Sequence, residues 1–225
     1  MSVLKEPLAT PSRVRGIYRY LLQIKGQREK RQVLEQILSP NKLVEHLLSA
    51  EDKLNGKKAP HIMFRRTLNE SIKCGLLIDN NDEICINPNL PEEARNPQLG
   101  DNLLPNTLAT LFFASGNTDE EDFAYVCTWF LAQDIYDFSG NWKVVEEMVV
   151  NQGVAESLEL KMSNNTLSGQ MDDWICYIGL AWGHALDGKK VTVPDPTLYI
   201  KRNLKDLFQK TSWYKNYSSE ILLTG

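Results

Sequence analysis

The chain has 225 residues, 42% hydrophobic and 24% charged, with a formal net charge of −4. That length suits one large domain or two small ones, and the composition is ordinary for a soluble globular protein. No apolar run nears the roughly 18 residues of a membrane span, and the N-terminal MSVLKEPLATPSRVRG has no apolar stretch of a secretory signal, so a cytoplasmic protein without membrane contact is expected.

Residues 1–11 read as an arm bracketed by Pro7 and Pro11, with Ser12 as N-cap of a first helix from Arg13 to Ile24. Val14, Ile17, Leu21 and Ile24 form its apolar face, and Gly26 stops it. A second helix is expected from Gln27 to Leu38, although Arg28, Lys30 and Arg31 in its first turn oppose the helix dipole. Ser39-Pro40 breaks it, and Asn41 to Ala50 restarts a helix ahead of a polar loop over residues 51–60.

Residues 61–88 organise the N-terminal part. Phe64, Leu68 and Ile72 recur every four residues and mark one buried helix face. Arg65, Asn69 and Lys73 repeat at the same spacing on the exposed side, beside Arg66. Gly75 fits just past the helix end, where a left-handed backbone favours glycine. Leu76 to Ile78 extend, Asp79 to Asp82 turn, and Glu83 to Asn87 return with Ile84 and Ile86 inward. A basic helix followed by a short hairpin is the pattern of a winged-helix domain, whose helix lies in a DNA major groove while the hairpin touches the backbone. The same pattern fits a winged helix that docks on protein, because fold alone does not set function.

Residues 89–106 hold three prolines and three carboxylates and read as a linker. The domains expected are therefore a winged helix over 1–88 and a mostly helical domain over 107–225, which could itself be winged-helix-like; the fold class is mainly α (α+β). In the second domain the pattern predicts helices over 107–114, 123–131 (Thr118 as N-cap and Glu121 completing a capping box), 142–150, 171–186 and 197–209. Residues 155–162 fit a helix or a strand, 163–165 and Gly169 mark loops, and Lys189 to Val193 reads as a strand. The 171–186 helix is apolar on nearly every side and should be buried, and Trp129, Trp142, Trp174 and Trp182 are expected in the core. The closing ILLTG is as consistent with a fragment of a longer protein as with a whole one.

Charge is unevenly distributed. Residues 1–73 carry 15 Lys and Arg against 7 Asp and Glu, net +8; residues 74–225 carry 10 against 22, net −12. A basic end attracts a polyanion, and an acidic remainder suits a basic partner or the basic end itself. The expected DNA contacts are Arg65, Arg66, Asn69 and Lys73 nearest the base edges, with Arg13, Arg15, Arg19, Arg28, Lys30, Arg31, Lys57 and Lys58 on phosphates. The bland alternative is ordinary solvated helix faces.

Evidence for catalysis is thin. Glu159-Leu160-Lys161, with Asp137, Glu146 or Glu147 upstream, fits the acid–spacer–lysine pattern of metal-dependent nucleases, but the tripeptide is common by chance. Asp119 to Asp122 suit a helix N-terminus. Four scattered cysteines (Cys74, Cys85, Cys127, Cys176) and three histidines lack zinc spacing and are expected as reduced thiols and ordinary side chains. No nucleophile motif or Gly-rich phosphate loop occurs, and neither cofactor nor metal is expected.

Several segments together resemble a known family: Pro11-Ser12-Arg13-Val14, Trp129-Phe130-Leu131-Ala132-Gln133-Asp134, Asp173-Trp174 before Gly179-Leu180-Ala181-Trp182, and Pro194-Asp195-Pro196-Thr197. They resemble the DpdG-type proteins of bacterial clusters that insert 7-deazaguanine bases in DNA or restrict with them. The resemblance spreads over most of the chain and implies an accessory protein in DNA modification, restriction or phage defence, working with larger ATPase or nuclease partners. It carries no catalytic residue across. The expected function is a non-enzymatic DNA-binding or adaptor protein that meets double-stranded DNA through residues 1–88 and other proteins of its system through the acidic part. The alternative is a protein-docking winged helix without DNA affinity of its own.

Overall fold

The structure is a computed structural model and describes residues 6–45, 61–114, 120–136, 138, 141–154, 166–186 and 189–210. It is mainly α-helical with two small antiparallel sheets. Lys57, Lys58, Thr118, Asp137 and the 155–165 segment with Glu159 and Lys161 lie outside the described residues.

Helix α1 (Pro11–Gln23) starts with proline in its first turn, where the missing N–H costs nothing, and buries Val14, Ile17, Tyr18, Leu21 and Leu22. Thr10, not Ser12, stands at the N-cap, and Ser12 lies inside the helix. The helix expected from Gln27 starts later. Gly26 and Gln27 both take positive φ (78° and 53°), which no α-helix continues through. Arg28–Lys30 then forms β1, and α2 runs Arg31–Leu38. Extending Arg28 and Lys30 as a strand also avoids stacking three cations on one helix N-terminus.

After the short α3 (Asn41–Val44), α4 (Ile62–Lys73) buries Phe64 and Leu68. It also buries Thr67 and Ser71, whose hydroxyls donate to the carbonyls of Met63 and Thr67 one turn back at 2.7 and 2.8 Å. This back-bonding lets two polar side chains sit in the core satisfied. Gly75 (φ 81°) donates to the Ile72 carbonyl and releases the chain into β2 (Leu77–Asn80) and β3 (Glu83–Ile86). The turn is tighter than expected. Asp79 and Asn80 belong to β2, and Asn81 and Asp82 alone make the connection with φ of 54° and 71°, as a two-residue type I′ hairpin requires. Strand β1 pairs with β3, Arg28 opposite Cys85, giving the order β1-β3-β2, and Ile84 and Ile86 point into the core.

Residues 89–106 are not an extended linker. They contain α5 (Glu92–Arg95) and the first half of α6 (Gly100–Phe112), with Pro105 inside the helix. Leu90, Ala94 and Leu104 are buried, and the Tyr18 hydroxyl donates to the Ala94 carbonyl at 2.5 Å. The apolar residues between the prolines have here been packed, while Pro91 and Pro97 stay exposed. Burial pushes the Tyr18 hydroxyl up to about 12, so it stays a donor at neutral pH.

Beyond α6 come α7 (Glu121–Leu131), α8 (Trp142–Asn151) and α9 (Thr166–Ile178), then a hairpin of β4 (Ala181–Leu186) and β5 (Lys189–Pro194), and α10 (Thr197–Lys210). The single helix expected over 171–186 is therefore a helix and a strand. Gly179 (φ 87°) and Leu180 both donate back to the Ile175 carbonyl, closing α9, and Ala181 onward pairs with β5. Gly169, expected in a loop, lies within α9. Trp182, expected in the core, is 58% exposed on β4. Trp174 is the largest fully buried side chain among the described residues, edge-on to Phe112 at 5.3 Å, and Phe112 meets Phe123 at the same separation. One apolar core thus runs from α1 and the first sheet through α6 to α7 and α9.

The stretch before α1 straps these parts together. Gln170 and Trp174 of α9 donate to the carbonyls of Pro7 and Ala9, Arg13 of α1 donates to the Leu8 carbonyl, and the Thr67 hydroxyl of α4, whose proton goes to Met63, lies 3.2 Å from the same Leu8 oxygen. Ala9 is fully buried.

Candidate nucleic-acid interface

Helix α4 presents Arg65, Arg66, Asn69 and Lys73 on its exposed side, as the four-residue spacing requires. Each of its three cations stands beside a carboxylate. Arg65 makes a bidentate pair with Glu35 of α2, both bonds 2.9 Å. Arg66 reaches Glu6 of the strap at 2.6 Å, and Lys73 reaches Glu70 one turn back at 2.7 Å. Glu6 and Glu70 are almost fully buried and so held in place, whereas the cations remain 40–62% exposed. The Arg65 hydrogen bonds hold the Glu35 carboxyl below its usual range, and His61 and Arg31 add to that.

The hairpin beside α4 is acidic at its tip. Asp79, Asp82 and Glu83 lie there with two cations of the β1–α2 junction. Arg31 bonds Asp79 at 2.6 Å and approaches Asp82 at 3.6 Å, and Arg28 approaches Glu83 at 3.5 Å. Arg31 lowers the Asp79 carboxyl. Lys30 is exposed on β1.

The remaining arginines are elsewhere. Arg13 is turned into the strap, donating to the Leu8 carbonyl at 2.7 Å. Arg15 and Arg19 project from α1 toward α6. Arg15 bonds both oxygens of Asp101, at 2.7 and 2.8 Å, and Arg19 comes only to 3.9 Å of one of them. The Arg15 bonds hold the Asp101 carboxyl low. With Gly16, Ser12, Asp173 and Tyr177 these arginines line a cleft of about 460 Å³ between α1 and α9. The twelve expected contacts are thus divided among an α4 set, a hairpin set and an α1 set, with Arg13 in the strap and Lys57 and Lys58 outside the described residues. The acids that accompany the cations have no signature in the chain: Glu35, Glu6 and Asp101 lie 30, 60 and 86 residues from their arginines. Only Glu70 and Lys73, at helical i,i+3 spacing, could be paired from sequence.

Among the described residues no group of three or more His, Cys, Asp and Glu could hold a metal ion, and no helix is long and apolar enough to cross a membrane. Glu146, one of the carboxylates considered for a nuclease site, lies on α8 with its carboxyl raised by burial.

The family described as DpdG-like matches residues 1–219. No curated protein and no solved structure matches the chain.

Proposed function

The chain belongs to the DpdG-like family, and from that premise we propose that it is a non-enzymatic accessory protein of a bacterial DNA modification, restriction or phage-defence system that meets double-stranded DNA through α4. Family membership supports the association with DNA modification. The helix–strand–helix order with α4 leading into the β2–β3 hairpin supports a winged helix. The observation that carries the DNA reading is the exposed row of Arg65, Asn69 and Lys73 with Arg66 on the helix that enters the hairpin. The carboxylates behind that row position the cations and partly neutralise them. They fit a protein that holds DNA by geometry, with weak affinity for any polyanion at large. The acidic part of the chain is left for proteins of the same system.

A second reading is a docking module without DNA affinity. It is favoured by the hairpin tip, where Asp79, Asp82 and Glu83 would face phosphates that a wing usually approaches with cations. Fluorescence anisotropy of a labelled duplex of about 25 base pairs, titrated at several salt concentrations, separates the two. The DNA reading expects log affinity to fall with log salt by about 0.9 for each phosphate contact. No binding at about 50 mM salt, where such contacts are strong, would leave the docking module.

A further inference from the structure

The outward side of α7 is apolar where a solvated helix face is ordinarily polar. Phe123, Val126, Cys127 and Phe130 turn into the core. The exposed positions between them hold Tyr125, Thr128 and Leu131. The chain then turns at once. Asp134 accepts the Tyr136 backbone N–H at 2.9 Å, and within that turn Ile135 is exposed and Tyr136 is 91% exposed. The Trp129 indole donates to the Gln152 side chain at 2.6 Å, which brings the end of α8, with exposed Val150, alongside α7. Apolar side chains exposed one at a time need no explanation, but a set gathered on one helix and the turn that follows it marks an interaction site.

Charge narrows what can cover this face. Residues 119–151 carry eight Asp and Glu against one Lys, net −7, and residues 96–142 contain neither Lys nor Arg. Glu121, one turn before Tyr125, and Glu147, one turn before Val150, are exposed and unpaired among the described residues. On α4 every cation has its acid; here the acids have no cation. A duplex or an anionic membrane surface is held through Lys and Arg and would be repelled. A protein segment with apolar anchors and cations beside them matches both features.

We propose that α7 and the turn after it dock a basic amphipathic segment of a partner protein, its apolar side chains on Tyr125, Leu131, Ile135 and Tyr136 and its cations beside Glu121 and Glu147. Tyr136 is the anchor. Tyrosine supplies a large contact area with only two torsions to freeze, and the bond from Asp134 has already ordered its backbone. The inference rests on the reading that the acidic part of the chain meets proteins, and it narrows that reading to one face.

Fluorescence anisotropy with the full chain tests this. The probe is a labelled amphipathic peptide of Leu and Lys about four helical turns long, compared with the same peptide carrying Glu for Lys or Ser for Leu. Tyr125→Gln/Tyr136→Gln removes the anchors and Glu121→Gln/Glu147→Gln the charge; all four positions are exposed, where substitution leaves a fold intact, and an unchanged thermal midpoint checks it. The expected result is binding of the Leu–Lys peptide, at least about tenfold weaker in each double variant and unchanged in Arg65→Ala/Arg66→Ala/Lys73→Ala. The Glu peptide should not bind, and the Ser peptide should bind at least about tenfold more weakly. Binding that both double variants leave unchanged would overturn the proposal while the acidic part still met a basic partner elsewhere. Failure of the wild type to hold the peptide would remove that broader reading as well. Ser and Leu peptides held equally would reduce the face to charge alone and overturn it too. So would self-association in sedimentation equilibrium that Tyr125→Gln/Tyr136→Gln abolishes, which would give the face to a second copy of the chain.

Discussion

Two arginine–carboxylate pairs in this protein look alike and behave differently. Arg65 grips Glu35, and Arg15 grips Asp101, each through two bonds of 2.7–2.9 Å. Around Arg65, the neighbouring cations Arg66 and Lys73 each have their own acid in Glu6 and Glu70. Around Arg15, the neighbouring Arg19 must share Asp101. The α4 surface is therefore a row of well-positioned donors, each with its own acid, whereas on α1 two arginines stand at one carboxylate of α6. Counting Lys and Arg cannot tell these apart. The distinction lies in which acid the fold brings to which base.

The largest expected effect breaks the frame that both surfaces share. Trp174 is buried against Phe112 and donates to Ala9 of the strap, so it joins α9 to α6 and to the segment that carries Glu6. Trp174→Ala should cost about 3–5 kcal/mol, as large-to-small changes in a packed core do, measured by urea denaturation. A loss below about 1 kcal/mol would mean that the two halves do not rest on this contact.

Acid should act on both pairs in the same direction. Arg65 and Arg15 lower the Glu35 and Asp101 carboxyls, and Arg31 lowers Asp79. A carboxyl depressed in the folded state contributes stability that is present above its unfolded value of about 4 and lost as pH falls through the folded one. The denaturation midpoint should hold from about pH 7 to pH 5 and fall below pH 4, more shallowly in Arg15→Ala and Arg65→Ala. A variant with the acid limb of wild type would show that its pair adds nothing to stability.

Smaller effects sharpen the comparison. Glu35→Gln keeps the shape of the α4 row but leaves Arg65 without a counter-charge. Duplex binding should tighten, with a salt slope steeper by at most about 0.9, one phosphate contact. An unchanged slope would place Arg65 outside the DNA interface. Gly16→Ala should stabilise the protein by roughly 0.5–1 kcal/mol, the helix-interior difference between the two residues, in thermal unfolding without ligand. Destabilisation would mean that the fold requires the glycine.

Parts of this molecule were legible in the chain. The α4–hairpin unit was, because a period near four gives way to alternation at Gly75 and the polar run Asp79 to Asp82 marks a turn, though not its two-residue length. Strand β1 was not: it is three residues long, and its partner β3 lies more than fifty residues on, so no local pattern marks it. Strand β4 was absorbed into a helix because AWGHAL extends an apolar run whose period separates neither form; only Gly179 marked the break. Residues 89–106 were misassigned because proline signals a turn but not whether the turn is packed. The basic residues were visible as types and spacing on α4, while their acids and the cleft were not, since both come from long-range packing.

The most direct measurement is the salt dependence of duplex binding in two variants compared with wild type: Arg65→Ala/Arg66→Ala/Lys73→Ala and Arg15→Ala/Arg19→Ala. If α4 meets the DNA and α1 does not, the first loses affinity and up to about 2.7 units of slope, roughly 0.9 for each contact, while the second keeps the wild-type line. Equal losses in both, or a wild-type line in the first, would contradict the division between the two surfaces.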